Sequence, residues 1–97
     1  MRSLPYIDEF KAEAGDAVFT KQQAVAATLQ LLQKEQANPD NNEAETALFA
    51  NAIAKAEFRY IDATVTETDR MLDGLGVARF TTQSIVDAIK SLLFDVQ

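Results

Sequence analysis

The sequence predicts an all-α domain, a bundle of four to five helices built on one long central helix. Three observations lead there. The 97-residue chain has only three glycines and two prolines beside abundant alanine, the composition of long helices with few turns. No segment sustains the period-two alternation of a half-buried strand, so no sheet is expected. Finally, residues 15–32 and 76–93 repeat one another. At an offset of 61, nine of eighteen positions match without a gap, among them Gly15/Gly76, Phe19/Phe80, Thr20/Thr81, Val25/Val86 and Leu32/Leu93. An internal repeat constrains architecture before any single residue is interpreted.

The elements follow in order. A first helix over about 4–14 has Ser3 as its cap, Pro5 in its first turn and Gly15 at its C-terminal turn. Its apolar stripe is Leu4, Ile7, Phe10 and Ala14. A second helix, about 21–37, opens with Thr20 and Gln23 as a capping box and stops at Asn38-Pro39-Asp40-Asn41-Asn42. Its expected core face is Val25, Thr28, Leu29 and Leu32, with Leu31 beside it.

The central helix spans about 43–72, capped by Asn42 with Glu45 at the box position. Thirty helical residues would measure about 45 Å, longer than the roughly 32 Å breadth of a compact chain of this size. The sequence favours continuity here. A break near 64–66 is the alternative, because Thr64-Val65-Thr66 is β-branched and Thr66/Asp69 fits a capping box. If the repeat is a duplicated unit, a separate short helix should begin at that break. A last helix over about 82–95 presents Ile85, Ala88 or Ile89, Leu92 and Val96, flanked by Leu93 and Phe94.

Apolar residues cover more than half the circumference of the central segment, beyond the ~100° stripe of a surface helix. The other helices are short and few, so one face is expected to serve a second copy of the chain. Phe49, Ile53, Phe58, Tyr60 and Ile61 are the expected interface anchors, with Glu57 set between the two apolar groups. Core burial is the competing reading of the same residues.

Composition narrows the chemistry. With no cysteine and no histidine, the usual zinc sites, thiol redox chemistry and Ser–His or Cys–His nucleophiles are excluded. Net charge of −6 argues against attraction to nucleic acid or anionic lipid. No apolar run approaches the ~18 residues of a membrane span, and Asp8 and Glu9 argue against an N-terminal signal. A cytoplasmic location is expected. Asp69 and Asp73, four apart, would flank one cation if both are helical, and Asp40–Glu45 carries some oxygen donors of a calcium loop. The calcium pattern fails at Ala44 and at the missing glycine, and Gly74-Leu75-Gly76 suits a helix end better than a phosphate loop.

The functional expectation is a non-enzymatic protein–protein interaction module, homodimeric, without cofactor, formed as a single domain over 1–97. The alternative is a helix-turn-helix DNA-binding regulator, since each repeat unit has that outline. Its phosphate contacts would have to come from Lys11, Lys21, Arg70 and Arg79. A third reading is an enzyme using an acid such as Glu57.

Overall fold

A computed structural model describes residues 3–57 and 66–94. The order is α1 (Pro5–Ala14), β1 (Val18–Phe19), α2 (Lys21–Gln36), α3 (Glu43–Glu57), α4 (Glu67–Gly74), β2 (Phe80–Thr81) and α5 (Thr82–Phe94). The all-α expectation holds, with one addition. β1 and β2 form an antiparallel ribbon in which Val18 faces Thr81 and Phe19 faces Phe80. The expectation of no sheet is thus corrected: strands of two residues are too short to show the alternation by which a sequence announces them.

Helix starts follow the local chemistry. Thr20 and Gln23 form the capping box of α2, and Asn42 and Glu45 exchange the same pair of bonds at α3. At α5 the cap is Thr81, whose hydroxyl accepts from the Ser84 amide. The expected Ser3 cap of α1 is corrected: Leu4 occupies the N-cap position and makes no side-chain cap bond. The Ile7 amide donates instead to the carboxylate of Glu35, twenty-eight residues away and fully buried in the last turn of α2. No local signal in the sequence announces such a cap.

The continuous central helix is also corrected. Thr66 has extended backbone angles (φ −93°, ψ 168°) and caps α4 in a box with Asp69, so the helix is not one rod from 43 to 72. The break alternative near 64–66 is the one realised, and a separate short helix does begin there. The cause is local: a threonine whose hydroxyl takes the Asp69 amide satisfies the backbone better at a helix start than within one.

The core is one cluster from α1, α2, α3 and α5, centred on Ile7, Leu31, Leu32, Phe49, Ile85, Ile89 and Leu92. α3 packs on α2 and α5, and α1 lies against the same two helices. The face that α2 buries is Ala24, Thr28, Leu31, Leu32 and Glu35, so Val25 and Leu29 sit at its margin rather than its centre. In α3 the buried stripe is Phe49, Ala52 and Ala56. Its alanines let neighbouring backbones approach closely.

Candidate functional site: an ionic clasp and an open apolar face

The repeat becomes a spatial relation. Under the offset of 61, α1 corresponds to α4, β1 to β2 and α2 to α5. Phe19 and Phe80, equivalent in sequence, are also each other's partners in the ribbon. The ribbon therefore sets the two units antiparallel to one another, with α1 against α5 and α4 against α2. The turn glycines close both first helices. Gly15 takes positive φ at the end of α1. After α4 a full Schellman motif forms: Gly76 at φ 72°, its amide bonded to the Asp73 carbonyl, and the Val77 amide bonded to that of Leu72.

The correspondence fails where the charges are. Asp69 and Asp73, one turn apart on α4, do flank one cation, but it belongs to the chain. Arg79 Nη1 donates to Asp69 Oδ1 at 2.7 Å, and Nη2 donates to Asp73 Oδ1 at 2.6 Å. Lys21 Nζ donates to Asp69 Oδ2 at 2.9 Å. The Asp73 carboxylate also takes the first two amides of α2, those of Lys21 and Gln22, at 3.2 and 2.9 Å. Thr20 takes the third. The N-terminus of α2 is thus saturated by internal acceptors, with negative charge at the positive end of its dipole.

These contacts shift both ends of the pair. The Asp69 carboxyl is held well below the usual carboxylate range, first by the Arg79 guanidinium, then by the Thr66 amide and Lys21. Arg79 is raised, chiefly by Asp69, with burial acting against it. At the repeat-related position these four residues become Asp8, Ala12, Val18 and Thr82, which cannot build a clasp. Thr82 is buried and its hydroxyl has no hydrogen-bond partner among the described residues.

Of the expected interface residues, Phe49 is fully buried within the single chain, Ile53 packs at the edge of the core, and Glu57 is exposed as the last residue of α3. Phe58, Tyr60 and Ile61 lie outside the described residues. The large apolar side chains left open are elsewhere: Met71 (59 % exposed) and Leu75 (72 %), one turn apart, with Val77 beyond them, Val18 on β1 and Phe94 ending α5. With the helix start at Thr66, Met71 lies on a short helix of its own rather than on a continuation of α3. On α3 the small apolar residues Ala47, Ala50 and Ala54 are exposed.

A cavity of about 220 Å³ opens between α2 and α5, walled by Ala24, Val25, Phe80 and Ile85 and bordered by Lys21 and Arg79. Among the described residues no three acidic side chains converge as a metal site would require. The oxygen donors of 38–45 serve as turn and cap groups: Asn38 accepts from the Asp40 amide, and Asn42 from that of Glu45. No helix is long and apolar enough to cross a membrane among the described residues. Compared with protein-family models, curated proteins and solved structures, the chain matches none.

Proposed function

We propose that the chain is a non-enzymatic protein–protein interaction module, a small regulator, adaptor or assembly factor, working as a homodimer in the cytoplasm. The observation that carries this reading is the exposed pair Met71 and Leu75, on one side of an amphipathic helix that contributes no buried residue. Large apolar groups at neighbouring positions are what a partner-binding surface offers. The reading moves the expected contact from the 49–61 segment toward α4, because Phe49 is already spent on the core.

The DNA-binding alternative is weakened by the clasp. Two of its four cations, Lys21 and Arg79, are neutralised by Asp69 and Asp73 and are poorly placed to meet phosphates. The enzyme reading receives no support from Glu57, which is exposed rather than enclosed in an apolar cleft.

Light scattering on the parent chain and on a Met71→Glu/Leu75→Glu variant tests the proposal. The parent is expected at twice its 10.7 kDa, and the variant at the monomer mass with unchanged helical circular dichroism. A parent that stays monomeric at high protein concentration, or a variant that stays dimeric, would remove the support for this surface.

A further inference from the structure

The repeat-related helices α1 and α4 are attached to the domain by opposite means. α1 is held by burial: Ile7 is in the core cluster, and Leu4 and Phe10 pack against it. At the positions corresponding to Ile7 and Phe10, α4 has Thr68 and Met71, both exposed, and among the described residues no α4 side chain belongs to that cluster. α4 turns inward Asp69 and Asp73, each 15 % exposed, beside a half-buried Leu72, and the two carboxylates have Lys21, Arg79 and the first amides of α2 as partners. Apolar burial is not weakened by screening, whereas an ion pair that keeps some contact with solvent weakens as the Debye length falls from ~30 Å at about 0.01 M salt to ~3 Å at about 1 M.

We propose that α4 is a detachable flap, docked by the Asp69/Asp73–Lys21/Arg79 clasp and released by ionic strength while the α1–α2–α3–α5 core stays folded. Release uncouples Arg79 from both carboxylates and bares the first two amides of α2. It also loosens the Lys21 and Arg79 border of the cavity between α2 and α5. The inference does not depend on the homodimer reading: a monomer with the same clasp has the same flap.

Residue-resolved amide exchange on the intact chain tests it. The reporters are the Arg70 amide of α4 and the Leu75, Gly76 and Val77 amides that close its C-terminal turn, against the amides of Leu32 and Ile89 in the core. From low salt to about 1 M NaCl, where the Debye length falls to ~3 Å, α4 exchange should accelerate roughly tenfold or more while the core amides hold. Asp73→Asn should produce the same acceleration at low salt. Equal protection of α4 and core at every salt concentration would overturn the proposal, as would α4 exchange that is fast but indifferent to salt. If Asp73→Asn fails to fold, the salt series on the parent chain decides alone.

Discussion

Truncating Phe49 to alanine separates its two roles, core residue and interface anchor, by an order of magnitude. The ring has no exposed surface in the isolated chain and belongs to the cluster shared by α2, α3 and α5. Phe→Ala at such a site costs about 3–5 kcal/mol, the larger values arising where the surroundings cannot collapse. Its stripe neighbours are Ala52 and Ala56, which have no rotamers with which to fill the gap, so the upper half of that range is expected. For a domain with a total stability of about 5–15 kcal/mol, the loss is a large share. At roughly 4–8 °C per kcal/mol, melting should fall by about 16 °C or more. The assay is thermal and urea unfolding followed by circular dichroism at two protein concentrations. Lys90→Ala serves as the control, expected within about 0.5 kcal/mol of the parent because its side chain is exposed on α5. A Phe49→Ala chain that melts within about 2 °C of the parent would refute the core assignment. Loss of dimer in that same variant would restore Phe49 as an anchor.

Two further predictions concern a backbone position and a carboxylate. Gly15 has φ 52° and ψ −115°, outside the left-handed helical well, and an added Cβ there meets no atom within 4 Å. Gly15→Ala should therefore cost about 1–3 kcal/mol in urea unfolding through backbone strain alone, and Gly15→Asn should recover none of it; a neutral alanine variant would contradict this backbone geometry. Asp69 is held low by Arg79, so its contribution to α4 docking is complete above the ordinary carboxylate range and fades only as pH falls through its own depressed value. Arg79 stays charged throughout and adds no pH dependence. The Asp69 carboxyl carbon, followed by NMR, should remain ionised below about pH 3.9 in the parent and titrate nearer that value in Arg79→Gln; an ordinary midpoint in the parent would sink the clasp geometry.

What the sequence disclosed was whatever is decided within four residues. The boxes at Thr20, Asn42 and Thr66, the cap at Thr81 and the turn glycines Gly15 and Gly76 all act on neighbouring amides and carbonyls. Through-space partnerships stayed hidden. Glu35 reads as one more polar residue near a helix end, yet it is buried and caps α1. Asp69 and Asp73 were visible as a pair able to hold a cation, but nothing local says that the cation is Arg79. Phe49 shows the same limit: helical spacing places it on an apolar face without saying whether that face meets its own chain or another.

The ribbon has one more consequence. Because Phe19 pairs with its own repeat counterpart, each helix–strand–helix unit offers an edge complementary to its sibling. Two chains can exchange units across that edge and remake every ribbon bond between molecules instead of within one, with no new surface required. Domain swapping across this four-residue sheet is thus one route by which the proposed homodimer would form, and the asymmetric clasp is what distinguishes one unit's place from the other's.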